Sequence, residues 1–430
     1  MTRAAILSTA ALSLTLALTA CGGGGGGDGG TAPAPAAPDP PPTLSTGPDE
    51  CVAGEAGGFA CSGVSLAARV PIAGMGGNAG NDIWGWADPQ TGAEYALMGL
   101  TNGTAFVDVT DPEAPVFLGR LPTETFNSTW RDIKVHDGHA LIVADAAGAH
   151  GMQVFDLTRL RGVTAPQTYA ADNVYVDIGS AHNLAIDEES GFAYAVGAEG
   201  PGGCDHGLHM IDVRTPVNPM FAGCHTAVDT HDTQCVVYRG PDAEHAGSQV
   251  CFGSANLESA DPAAPADGIA RLEIVDVSLK SSPLQLSLTA YPESGYAHQG
   301  WLTEDHRYFL LGDETDESRR GVPTRTHVFD VSDLDAPRFL FAYEAPTRSI
   351  DHNLYVRGSR VYQANYTSGL RILEFGDLAA GGLQEIAYFD TYPDNDAVEF
   401  SGAWSVYPWL PSGNVLVSDQ QYGLFVLTPD

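Results

Sequence analysis

The stretch TAFVDVTDPEAP, residues 104 to 115, decides the fold. A short apolar, β-branched run closes on an aspartate, and an Asp-Pro segment then turns the chain. The cassette returns at MQVFDLTRL (152 to 160), LHMIDVRTPVNP (208 to 219), LEIVDVSLKSSP (272 to 283), THVFDVSDLDAP (326 to 337) and LRILEFGDL (370 to 378). YGLFVLTP, residues 422 to 429, adds a seventh strand of the same kind. Period-two alternation runs through these segments and no long stretch shows a helical period, so the chain reads as all-β. Units of roughly 40 to 65 residues have the spacing of propeller blades.

The expected fold is a seven-bladed β-propeller with blades at 81–121, 127–169, 179–224, 229–291, 295–343, 349–390 and 398–429. The last blade is one strand short. VSLAARVPI, residues 64 to 72, is placed to supply that strand and close the ring, which leaves only short sheet edges. Blade 4 carries the insertion ANLESADPAAPADG (255 to 268), read as an exposed loop.

The repeated strand resembles the LVIVD repeat. The segment WGWADPQTGAEYALMGLTNGTAFVDVTDPEAPVFLGRLPT resembles the start of the bacterial choice-of-anchor B domain. The likeness covers about residues 62 to 429 and implies a surface-attached, secreted propeller, without implying a reaction. Members with a C-terminal sorting tail differ from this chain, which ends VLTPD.

The N-terminus supplies another anchor. Arg3 precedes an apolar run from Ala4 to Ala20 that suits a secretory signal, and Leu18-Thr19-Ala20-Cys21 resembles a bacterial lipobox. That resemblance implies a signal peptide over 1–20, lipidation of Cys21 and, with Gly22 next, an outer-membrane lipoprotein facing the periplasm or the cell surface. Residues 21–50 are Gly-rich and then Pro-rich, a tether unable to bury a core. The propeller domain is therefore expected over 51–430, touching the membrane through its lipid alone.

Without Cys21 six cysteines remain in an exported chain, so disulfides are expected, and proximity pairs Cys51 with Cys61, Cys204 with Cys224 and Cys235 with Cys251. A net charge of −34 with two lysines, Lys134 and Lys280, excludes a phosphate-backbone partner, which needs a basic patch. A monomer with an unidentified protein or small-molecule ligand is expected.

Chemistry concentrates at the starts of the inner strands. SIDHNLYV (349 to 356), AHNLAI (181 to 186), THDTQCVV (230 to 237) and AHQGWL (297 to 302) place His352, His182, His231 and His298 on one rim in four consecutive blades. Arg131 and Trp404 occupy the equivalent places elsewhere. The second strands end on that rim at Asp145, Glu199, Asp313, Asn365 and Asp419. Neutral imidazoles held by carboxylates suit iron, copper or zinc. Three readings stay open: a metal or ligand site, structural latches between strands, and a partner-binding rim without metal. If the chain is an enzyme, an oxidoreductase or hydrolase, Asp313 and Glu199 are the candidates for orienting groups or proton acceptor. His206 and His209 beside Asp205 form a second, solvated-loop candidate. Asp390, Asp394 and Asp396 form an oxygen-rich loop suited to Ca²⁺, and a calcium-assisted adhesin is a further reading.

Overall fold

The computed structural model describes residues 46–200, 202–257 and 269–430. The apolar N-terminal run, Cys21 and most of the tether lie outside the described residues, as does most of the 255–268 insertion. The inner strands are Gly80–Ala87, Arg131–His136, Asn183–Asp187, Asp229–Val237, Ala297–Leu302, Leu354–Arg357 and Ala403–Tyr407. Each touches the next, and the seventh touches the first. The molecule is thus a closed seven-bladed β-propeller, with strands running outward in chain order through antiparallel ladders.

The repeated aspartate has a local cause. Its carboxylate accepts the backbone N–H two residues on, closing the turn after the third strand: Asp108 from Thr110 (2.9 Å), Asp276 from Ser278 (2.8 Å) and Asp330 from Ser332 (3.0 Å). The apolar positions before it pack neighbouring blades together. Phe106 of blade 1 stacks on Phe155 of blade 2 at 4.6 Å, and from the second strands Phe252 of blade 4 stacks on Phe309 of blade 5 at 5.7 Å.

Val64–Val70 pairs antiparallel with Gly423–Pro429 and completes blade 7, as the missing strand requires. A hairpin the sequence reading did not include, Glu55–Ala56 with Phe59–Ser62, extends the outer edge of blade 6. All three disulfides pair as expected; Cys51–Cys61 staples this hairpin, and Cys235 faces Cys251 directly across blade 4.

The expected limits of blade 2 are corrected. Its outer strand is Asn173–Tyr175, beyond the expected limit of 169, whereas Gln167–Thr168, inside that limit, lies parallel on Val116–Pro122 of blade 1. The short 3-10 turn Leu157–Leu160 buries both its leucines, and Arg161 grips blade 1 through a bidentate pair with Asp88 at 2.6 and 2.7 Å. The chain is thereby carried back over its neighbour before returning.

Candidate functional site

The polar residues after two of the rim histidines, Asn183 and Gln299, bridge neighbouring inner strands. Asn183 Nδ2 donates to the carbonyl of His231 (3.1 Å), and Gln299 Oε1 accepts the N–H of Leu354 (2.8 Å). Asp82, Asp132 and Gln234 accept the N–H groups of Ile133, Leu184 and Leu302 in the same way. These side chains tie the first six inner strands in succession, and the histidines near them face the axis.

His182, His231, His298 and His352 form an arc, with successive ring centroids 4.4, 4.4 and 4.3 Å apart. His231 Nδ1 bonds the carbonyl of His298 at 2.9 Å, and His352 Nδ1 bonds the carbonyl of Trp404. Since a carbonyl can only accept, these bonds fix the proton on Nδ1 and leave the Nε2 lone pair free. His298 faces the His352 backbone in the same sense, without closing a hydrogen bond of ordinary geometry at Nδ1. His182 differs, pairing Nδ1 with Asp145 Oδ2 at 2.8 Å. Burial pulls the pKa values of His298 and His352 down to about 3, and burial with its neighbouring rings holds His231 well below the ordinary value. All three rings are therefore neutral at neutral pH, the state that ligates metals.

Glu314, which the sequence reading passed over, completes the group. Its Oε1 lies 3.7 Å from His298 Nε2 and 3.8 Å from His352 Nε2, and it accepts a bond from Tyr366 Oη at 2.8 Å. Two imidazoles and a carboxylate bound tetrahedrally at about 2.1 Å would lie about 3.4 Å apart, so Glu314 needs to close on each ring by only a few tenths of an ångström, and the three donor atoms all lie within 4.8 Å of one another. This donor set suits Zn²⁺ or Fe²⁺ and leaves coordination positions open. Above it is a cavity of about 470 Å³, bounded by the four histidines, Tyr296 and Arg319 among others.

The other expected rim residues divide. Asp145 joins the cavity beside His182, and Glu199 stands exposed at its mouth, where a neighbouring hollow of about 780 Å³ begins. Asp313 does not line the cavity: it accepts from Tyr291 Oη (2.8 Å) and from the N–H groups of Gly295 and Tyr296 (2.6 Å each), pinning the loop before inner strand 5. Asp419 likewise accepts from Thr391 Oγ1 (2.9 Å) and two backbone N–H groups. Asn365 is buried in a tight turn closed by Gly369. Arg131 turns to His150 at 3.3 Å, whereas Trp404 packs on His352 at 4.7 Å.

His206 lines the cavity mouth, but His209 is buried against Tyr175 Oη (2.9 Å) and the Gly202 carbonyl (2.5 Å), so the two do not converge. Among the described residues, Asp390, Asp394 and Asp396 do not bring three oxygens within 4.8 Å of one another.

The opposite end of the axial channel holds a second cavity of about 380 Å³ walled by Trp84, Trp301, Tyr355, Tyr407 and Trp409. Lys134 lines it, its ammonium 4.7 Å from the Trp84 ring and 2.6 Å from Asp132.

No family model matches the chain, and no curated protein matches it in sequence. Solved structures that resemble it include the β-propeller domain of Cps50 (Swd1) from Myceliophteria thermophila, at 12% identity and TM-score 0.51, covering 82% of this chain and 99% of that one. Kuenenia stuttgartiensis hydrazine synthase aligns at 11% identity and TM-score 0.51, covering 77% and 91%. A protein from Lactobacillus plantarum aligns at 13% identity and TM-score 0.50, covering 80% and 89%. At these identities the likeness is one of fold, and the fold this chain shares with them is the β-propeller.

Proposed function

We propose that this protein is a cell-envelope β-propeller that binds one transition-metal ion, Zn²⁺ or Fe²⁺, through His298, His352 and Glu314 and takes a small ligand or partner group above it. The observation that carries the reading is the disposition of the imidazoles. In His352, Nδ1 latches onto the neighbouring strand while Nε2 stays free beside Glu314, so a latch and a ligand are the same residue, and His298 brings its Nε2 to the same carboxylate oxygen. Attachment to the envelope rests on the lipobox-like LTAC ending at Cys21, and export agrees with the three disulfides. The choice-of-anchor B resemblance points the same way.

A second reading, a metal-dependent oxidoreductase or hydrolase, is favoured by one feature. Three protein ligands leave the metal open to the cavity, which is the arrangement of catalytic rather than structural sites.

Elemental analysis of the full chain, purified with its disulfides intact, tests the binding. About one equivalent of metal is expected in the wild type and in His182→Ala, and a loss of about tenfold or more in affinity in Glu314→Gln and His298→Ala. Equal metal content in all four proteins, or none in the wild type, overturns the assignment.

A further inference from the structure

Two residues beyond Glu314, the chain enters a single helical turn, Asp316–Arg320, inserted between the second and third strands of blade 5. Asp316 and Glu317 of this turn meet Asp351, the residue before His352. The three carboxyl groups lie within 4.8 Å of one another, and their side chains belong to residues only 0%, 1% and 2% exposed. None of their six oxygens has a partner of ordinary hydrogen-bond geometry, and the nearest donors are the Glu317 N–H and protons that the three carboxyls would have to share. His327, 1% exposed, adds an imidazole with neither nitrogen partnered, its Nε2 4.0 Å from Asp316 Oδ2.

Such a group is costly as it stands. An unpartnered buried polar group forfeits about 1–3 kcal/mol, and more when charged. The nearest cation, Arg325, stands 3.8 Å from Asp316 and is already shared between Glu293 and Glu344, each at 2.9 Å. The backbone also makes room: a Cβ on Gly312 would come within 2.2 Å of Asp351 Oδ2, so glycine there leaves the space that the carboxylate fills. By contrast, neighbouring Asp313 has every bond accounted for.

We infer that Asp316, Glu317 and Asp351 form a second cation site, specific for a hard divalent ion of the Ca²⁺ type. Three carboxylates, each able to bind through one oxygen or two, supply three to six of the six to eight oxygens that Ca²⁺ takes. Mg²⁺ gives up its waters reluctantly, and a pocket this dry leaves no room to keep several of them. The site is separate from the one proposed for the transition metal, and does not depend on it. It touches the same segments, because Asp316 follows Glu314 closely and Asp351 adjoins His352. A bound cation would fix both strand ends that present those ligands.

Calorimetric titration of the chelator-treated full chain with CaCl₂ tests the site, with MgCl₂ as comparison. One Ca²⁺ should bind, raise the melting temperature, and bind about tenfold or more weakly in Asp316→Asn and in Glu317→Gln, which keep shape and remove charge. Luminescence of Tb³⁺ bound to the wild type supplies an arm that needs no variant. Tyr291, whose ring lies 4.7 Å from that of His327, should sensitise it, and Ca²⁺ should quench it by displacement. No calcium heat and no sensitised terbium in the wild type would overturn the inference. Undiminished binding in folded variants would overturn it too, by placing the ion on the acidic surface.

Discussion

Replacing Lys134 with methionine should expose how the axial channel balances its charge. Lys134 Nζ lies 2.6 Å from Asp132 and 3.9 Å from Asp82, with side chains 11%, 7% and 2% exposed, so this is a buried ion pair. Methionine keeps the apolar stem against Trp84 and strands two carboxylates, a loss of about 3–5 kcal/mol for broken buried pairs. With an unfolding entropy of about 2.1 cal/mol/K for each of roughly 380 folded residues, the melting temperature should fall by about 4–6 °C. The pH dependence has a definite sign. Burial alone would lower the Lys134 pKa, but the charges of Asp132 and Asp82 hold it above its ordinary value. The lysine therefore stays charged across neutral pH and loses its charge only in strong alkali, while burial already holds the Asp82 carboxyl well above its ordinary value in the wild type. In the variant the buried carboxyls have no cation, so their folded pKa values rise. A raised folded pKa gives stability that is complete below the unfolded value and lost as pH rises through the folded one. The defect should accordingly be largest near pH 8 and shrink towards pH 5, as followed by calorimetry. The double variant Lys134→Met with Asp132→Asn should recover most of the loss. A single variant as stable as the wild type at pH 8 would refute the reasoning, showing that packing against Trp84 outweighs the pair.

Two further outcomes test the architecture. Deleting the chain through Pro71 removes the strand closing blade 7, where Val64 and Leu66 are 0% and 2% exposed and each contributes about 1.5–3 kcal/mol; aggregation or dimers on gel filtration are expected, and a monomer with native near-UV circular dichroism would contradict ring closure. Changing both Cys235 and Cys251 to alanine should cost about 3 kcal/mol for a loop of this length, and an unchanged urea midpoint would show the bridge to be energetically idle.

The ring was legible because every cassette states its own geometry. An aspartate that caps its own turn, as Asp276 does with Ser278, is a local event that the sequence carries whole. Blade 2 misled for the opposite reason. Where Thr168 pairs depends on Arg161 finding Asp88 in another blade, 73 residues away, and no local pattern reports that. The disulfides fell between because proximity sufficed once the compartment was inferred.

The histidine rim shows how narrow the margin was at the site itself. Successive residues of a strand face opposite sides, so reading one position early selects the wrong side chain. In GDE the end of the strand points to Asp313, whose carboxylate turns inward to hold Tyr291 and the loop before inner strand 5. The next residue, Glu314, reaches the imidazoles. The acids after it were invisible for a further reason: DETDESRR has the composition of a solvated loop, and only the return of Asp351 from the following blade buries Asp316 and Glu317. Both donor sets thus draw on the same two segments, 314–317 and 351–352, with His298 of inner strand 5 completing the first. The rim of this propeller is best understood as one polar layer built where blades 5 and 6 meet. The imidazoles ring the axial cavity there, and the carboxylates lie sealed behind them.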